Sequence, residues 1–438
     1  MRIEIGVLGK VSLCGLAWLA VAVIGCAPAF GQGASSEGPA KNDVSVGAML
    51  KRIEELEASQ KLMQQTIDQL RGAAAPAKSE AASASTPAVE PAAVEQAAQT
   101  ASDEEHVTAL GPLKLQAFSD FDFGRPWFEK QPLGGLSGST NSFTIGDFDL
   151  FTNTRISDHW SVLGEMLVTS DFSNEFGVEM DRLMLNYDVN DYLKISFGKY
   201  NSAIGYYTNA FHRAHFFQTA ISRPIMFADE DNGGILPVHN IGITTTGKIP
   251  SGMLGLHWVA EIANGTGVTH SDVPIQNFVD ENNGKALNFA IYARPEWLPG
   301  LQTGVSFYID TLHPLTSPAM RETIPAGYVA YVGSRLEWLN EIAVVRHSVL
   351  DSGAVYHGVT SYSQVSWGFG ATRPYFRYDY QNVASSDPIF GSLGRESGPS
   401  IGIERHLSRF LVVKTQFGRV TELNRATNAI DGQFAFAF

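Results

Sequence analysis

From Leu113 onward the chain alternates apolar and polar residues with a period of two. Leu115, Ala117, Ser119 and Phe121 share one face of the stretch 113–123, and Lys114, Gln116, Asp120 and Asp122 share the other. Leu254, Leu256, Trp258, Ala260 and Ile262 oppose His257 and Glu261 in the same way. Leu287, Phe289, Ile291 and Ala293 oppose Asn288, Tyr292 and Arg294, and Val305, Phe307 and Ile309 oppose Ser306, Tyr308 and Asp310. Successive side chains of a strand point to opposite faces, so this pattern predicts strands with one apolar and one wet face. Such stretches lie near 113–123, 141–156, 160–169, 177–189, 192–200, 241–248, 254–263, 285–294, 301–311, 322–332, 335–348, 357–367, 373–380, 397–406, 410–420 and 432–438. That makes about 16 strands, and an even number is what single-chain bacterial barrels use. Short connections at 157–159, 190–191, 250–252 and 407–409 alternate with longer ones at 264–284, 381–396 and 421–431. Short turns on one rim and long loops on the other predict an all-β fold, a transmembrane antiparallel β-barrel over 107–438. Trp127, Trp160, Trp258, Trp297, Trp338 and Trp367 fall near strand ends, where an aromatic girdle would lie. A barrel of this size has a lumen wide enough for water.

One connection breaks the rhythm. Residues 201–240 hold Tyr206, Tyr207, His212, Arg213, His215, Phe216, Phe217, Arg223, Asp229, Glu230 and Asp231. The segment is too long for an ordinary turn and too aromatic for a disordered one. It is expected to fold into the barrel mouth and narrow it; a surface lid is the alternative.

The period changes before the barrel. Val46, Met49, Ile53, Leu56, Gln60, Met63, Ile67 and Leu70 are separated by alternating steps of three and four, which is a heptad seam. The spacing predicts a helix over 44–71 that pairs with partner helices, without choosing between dimer and trimer; a lone amphipathic helix is the alternative. Residues 72–106 are rich in Ala, Pro, Ser and Glu and poor in large apolar side chains, and predict a disordered linker. At the start, Arg2 and Lys10 precede an apolar run over 11–25 and then Ala27-Pro28-Ala29, the form of a secretory signal peptide over 1–31. Val23-Ile24-Gly25-Cys26 also has the form of a lipobox, an alternative that would make Cys26 a lipidated first residue.

Composition narrows the function classes. A net charge of −14 over 438 residues argues against nucleic acid as a partner. Cys14 and Cys26 are the only cysteines, so no disulfide or thiolate metal site is available downstream. His257, His347, His357 and His406 come with no GxSxG or HExxH motif, so no enzyme, cofactor or metal is expected.

Several of these features occur together in one known group. The signal peptide, heptad helix, Ala/Pro linker, the stretch FGKYNSAIGYY continuing to RPIMFADEDNGGILPVHNIG, and the final Phe434, Phe436 and Phe438 resemble Gram-negative trimeric porins. The likeness is greatest to the DcaP-like and phosphate-selective (O/P type) groups and covers essentially the mature chain. The resemblance implies a homotrimer in the cell outer membrane, in contact with lipid and lipopolysaccharide, with the helix in the periplasm. It also implies recognition of the terminal aromatic by the barrel-assembly machinery, and passage of small, often anionic, solutes.

Selectivity in such pores comes from charged side chains around the narrowest part. Arg373, Tyr375, Arg377 and Asp379 share a strand face, and two arginines facing lipid would be costly, so this face is expected to point inward. Arg155, Arg182, Lys194 and Lys414 follow the same logic, Arg213 and Arg223 come from the long loop, and Asp147, Asp149, Glu165 and the cluster Asp229, Glu230 and Asp231 are the expected inward acids. Bracing pairs within the wall are the alternative role for each. After residue 106 the chain carries 23 Lys and Arg against 32 Asp and Glu, so the count alone does not set a preference. The expectation is a passive channel for small hydrophilic solutes, with phosphate or dicarboxylate as candidate anions; the alternative is a barrel-anchored envelope tether or adhesin with little conductance.

Overall fold

The computed structural model describes residues 113–124, 142–170, 175–211, 215–228, 234–268, 275–276, 278–422 and 425–438. The expected signal peptide, heptad helix and linker lie outside the described residues, as do Trp127, Arg213, Asp229, Glu230 and Asp231.

The alternating stretches are strands. They run as β1 (Lys114–Gly124), β2 (Ser142–Arg155), β3 (Trp160–Ser170), β4 (Phe176–Asn190), β5 (Leu193–Asn201), β6 (His239–Ile249) and β7 (Leu256–Ala263). After a two-residue pair, β8 (Thr266–Gly267) and β9 (Ile275–Gln276), come β10 (Ala286–Ala293), β11 (Leu301–Leu312), β12 (Met320–Val332), β13 (Leu336–Val349) and β14 (Val355–Trp367). The chain finishes with β15 (Thr372–Val383), β16 (Arg395–Ser408), β17 (Leu411–Glu422) and β18 (Arg425–Ala437). All except β8 and β9 form one closed antiparallel barrel of 16 strands, each paired to its sequence neighbour, with β1 closing on β18. The closing register runs from Phe118 opposite Ala437 to Phe123 opposite Gly432. Closure removes both sheet edges, so every wall strand is paired on its two sides.

Burial follows the period of two. On β15, Tyr375, Arg377, Asp379 and Gln381 are buried, while Phe376 and Tyr378 are exposed. On β10 and β11, Asn288, Ser306, Tyr308 and Asp310 are buried, and Leu287, Phe289, Val305 and Phe307 are exposed. The exposed outer face is apolar and the covered inner face is polar, the reverse of a soluble sandwich and the arrangement lipid imposes on a barrel. Trp160, Trp258, Trp297, Trp338 and Trp367 all lie at strand ends or turns on the short-turn rim, while Phe123, Phe143 and Phe176 are exposed at strand ends on the opposite rim.

One expectation is corrected. The stretch 421–431 is not a long loop, because β17 and β18 stay paired up to Glu422 opposite Arg425. Its polar residues look like loop composition, yet both backbones remain in the ladder. The connection from β7 to β10 is long, as expected, and the two-residue strands β8 and β9 pair within it.

Candidate functional site

The segment between β5 and β6 turns into the barrel and is fixed to the wall on several sides. Its local structure is slight: a one-turn helix α1 (Tyr207–Phe211) and short 3-10 turns at His215–Phe217 and Ile225–Phe227. Such a segment exposes backbone N–H and C=O groups that must find partners once covered. Side chains on the inner wall supply them.

Acids receive the N–H groups. On β13, the carboxylate of Glu341 accepts from the N–H of Tyr206 at 2.6 Å and of Tyr207 at 2.9 Å, and from the Tyr362 hydroxyl at 2.7 Å. On β7, Glu261 accepts from the N–H of Ala203 at 3.0 Å and from the Asn288 amide at 2.8 Å. On β15, Asp379 accepts from the N–H of Ile225 at 3.2 Å. Glu337 of β13 takes the Thr219 hydroxyl at 3.1 Å.

Cations receive the carbonyls. Arg377 donates to the Ser222 carbonyl at 2.6 Å, the Ser222 hydroxyl at 2.7 Å and the Arg223 carbonyl at 3.2 Å. Its Nε is paired with Asp379 at 2.7 Å, and its side chain has 0% exposure. Lys414 of β17 donates to the carbonyl of His215 at 2.5 Å. The His215 ring meets Asp120 of β1 at 2.9 Å. Burial alone would lower the His215 pKa, but the Asp120 carboxylate, with Asp147 and Asp122 nearby, pushes it up to about 9.

Apolar packing completes the attachment. Ile204, Tyr207, Phe211, Met226, Phe227, Ile235 and Leu236 of the segment join Ala263, Tyr308, Ile324, Leu339, Ala343 and Tyr362 of the wall in one buried cluster. Tyr207 stacks on Phe227 with centroids 5.9 Å apart and meets Tyr362 edge-on at the same distance. Gly205 has φ +80°, and a Cβ there would press on the Glu341 carboxylate and the Phe227 ring. Glycine is therefore what lets the chain turn beneath Glu341.

The expected lining residues divide by position. Arg182 is paired with Glu165 at 2.5 Å across β3 and β4, beside Asp149 and Phe151. Arg373 reaches the Arg335 carbonyl at 3.3 Å, Ser366 at 3.1 Å and Glu404 at 3.8 Å. Arg223 adjoins Arg377 through its carbonyl. Arg155 and Lys194 are not near the long segment: Arg155 donates to the turn carbonyls of Ser157 and Asp158, and Lys194 faces Asp188 at 3.8 Å. Both stand on the short-turn rim.

A polar chain on that rim was not singled out by sequence. The Nε of Arg294 donates to Gln302 Oε1 at 2.7 Å, and Gln302 Nε2 donates to the Tyr328 hydroxyl at 2.7 Å. Arg294 also lies over the Tyr292 ring at 5.2 Å, and His257 stacks on Tyr292 at 4.9 Å. Gly304 sits in register between Tyr292 and Tyr328, and a Cβ there would lie 2.8 Å from both side chains. The signal in the sequence was the polar face Asn288, Tyr292 and Arg294, but its partners depend on cross-strand register.

No family model and no curated relative matches the chain. Solved structures do. An anion-selective porin from Comamonas acidovorans superposes with TM-score 0.53 at 9% identity, covering 75% of this chain and 99% of that one. OmpF of Salmonella typhi, in complex with daunomycin, gives 0.51 at 12% identity over 74% of this chain and 97% of that one. The outer-membrane channel DcaP of Acinetobacter baumannii gives 0.50 at 13% identity, also over 74% and 97%. At these identities the likeness is one of fold: the chain has the 16-strand barrel fold that these porins share.

Proposed function

We propose that this chain is an outer-membrane porin, a passive diffusion channel for small hydrophilic solutes with a preference for anions. The observation that carries the reading is the closed barrel with an apolar outer face and a polar inner wall, entered by one segment that the wall side chains hold in place. The fold neighbours support the reading, since two of the three carry porin or channel names and one of those is described as anion-selective.

The anion preference rests on how the inner charges are used. Glu261, Glu337, Glu341 and Asp379 are numerous but buried, and their oxygens receive donors from the inward segment. Their charge is spent on attachment and is presented only weakly to the passage. The chain is read as a homotrimer with its helix 44–71 in the periplasm, processed at a signal peptide over 1–31 and tethered by the linker 72–106. Lipid, lipopolysaccharide and the barrel-assembly machinery are its expected contacts.

Reconstitution of the full-length protein in planar bilayers tests the proposal. Stepwise conductance with a reversal potential favouring Cl⁻ under a KCl gradient is the expected result. A correctly folded barrel without conductance would favour an envelope tether, and a K⁺ preference would overturn the anion reading.

A further inference from the structure

We infer that Arg294 is the oxyanion-binding station of this pore, an inference that rests on the channel reading and assigns its selectivity to one side chain. A cation selects ions only if its charge is not already matched. Arg182, Lys199 and Arg377 are each within 2.9 Å of a carboxylate, and Arg373 lies 3.8 Å from one. Lys414 is buried against carbonyls of the inward segment. Arg155 spends its Nε and a terminal nitrogen on turn carbonyls. The expected arginine pair of β15 therefore holds the wall and the segment together.

Arg294 differs on each count. It is exposed. It follows β10 in step with Asn288 and Tyr292 of the inner face, and it bonds Gln302 and overlies Tyr292 rather than pairing with a carboxylate. Only Nε is used in that hydrogen bond, which leaves the two terminal nitrogens as a planar fork of donors. That fork matches two oxygens of one carboxylate or phosphate. Gln302 and the Tyr292 ring fix the guanidinium beforehand, so little side-chain entropy is lost on binding. Gln302 is itself held by the Tyr328 hydroxyl, and the Tyr328 ring lies 5.8 Å from Tyr206 of the inward segment. The station thus stands on the short-turn rim beside the start of the constriction. Its ligand class is the small oxyanion; the spherical chloride ion gains the charge but not the fork.

The experiment uses the full-length protein in planar bilayers under gradients of KCl, potassium acetate and potassium phosphate. Arg294→Gln is expected to lower the anion-to-cation permeability ratio by about fivefold, the effect of one nearby unit charge in water. Arg294→Lys is expected to keep the chloride ratio and lose the preference for acetate and phosphate over chloride. Gln302→Leu is expected to fall between the two. Phenylglyoxal modification of Arg294, read by mass spectrometry, supplies a measurement independent of conductance. Acetate and phosphate at equal ionic strength should protect Arg294 where chloride does not; acetate or phosphate alone protecting would identify which oxyanion is held. Conducting channels with unchanged ratios in Arg294→Gln and no protection would overturn the inference. Protection without any conductance would overturn the channel reading and leave the binding site standing.

Discussion

At the scale of the residue, charge in this barrel is used mainly for attachment. Arg377 is the clearest case, with four hydrogen bonds, three of them at 2.7 Å or less, and no exposure. Removing one member of a buried pair leaves the other uncompensated, at a cost of about 3–5 kcal/mol. Arg377→Met should therefore lower the melting temperature and add current noise as residues 222–225 come loose from β15; an unchanged Tm with quiet channels would contradict this. His215 makes a second, pH-dependent attachment to Asp120. Its pKa is raised from 6.5 to about 9, so the attachment contributes fully below about pH 6.5 and is lost as pH rises through 9. Proteolysis within residues 202–238 should accelerate across that window in the wild type and show no such step in His215→Gln. The inward direction of Arg377 was legible from the alternation of β15. Its role was not, because its partner Ser222 lies 155 residues earlier in the chain.

At the scale of the element, the strands were legible and the inward segment only in outline. Sixteen alternating stretches correspond to the sixteen barrel strands, since lipid outside and water inside impose the same period on each. The limits failed where that contrast fades, as at the top of β17 and β18, where polar residues continue the ladder. Length and aromatic content marked 201–240 as unusual, but not where it attaches, because its hydrogen bonds go to strands on several sides of the barrel. Glu341 is the test of that attachment, as it caps the start of α1 with two backbone bonds. Glu341→Gln replaces one acceptor oxygen by a donor, leaving a covered N–H unmet at a cost of about 1–3 kcal/mol. The barrel should fold, and the N–H of Tyr206 or Tyr207 should exchange with solvent deuterium faster by roughly tenfold or more, by the conversion of about 1.4 kcal/mol to a factor of ten. Wild-type protection in the variant would show that the apolar cluster alone holds the turn.

At the scale of the whole molecule, the barrel is complete in itself. The ladder closes between β1 and β18 within residues 114–438, with the carbonyl of Phe438 accepting from the N–H of Ala117 at 2.9 Å. Nothing in that closure draws on residues 41–106. Deleting them should therefore leave a barrel with unchanged heat-modifiable mobility and an unchanged melting temperature. Assembly is a separate matter. The outer face carries a cluster of touching aromatics, Phe121, Phe123 and Phe143, that serve lipid or a second barrel equally well. The heptad seam offers a second route to association, worth little in a single isolated helix and more when three chains already lie side by side in the membrane. The full-length protein should therefore be a trimer by mass in detergent. The deletion should weaken the trimer, shifting its dissociation to lower protein concentration, if the helices contribute, and leave it unchanged if the barrel walls suffice. A full-length monomer would end the trimer proposal, and with it the reading of the seam as a three-stranded coil.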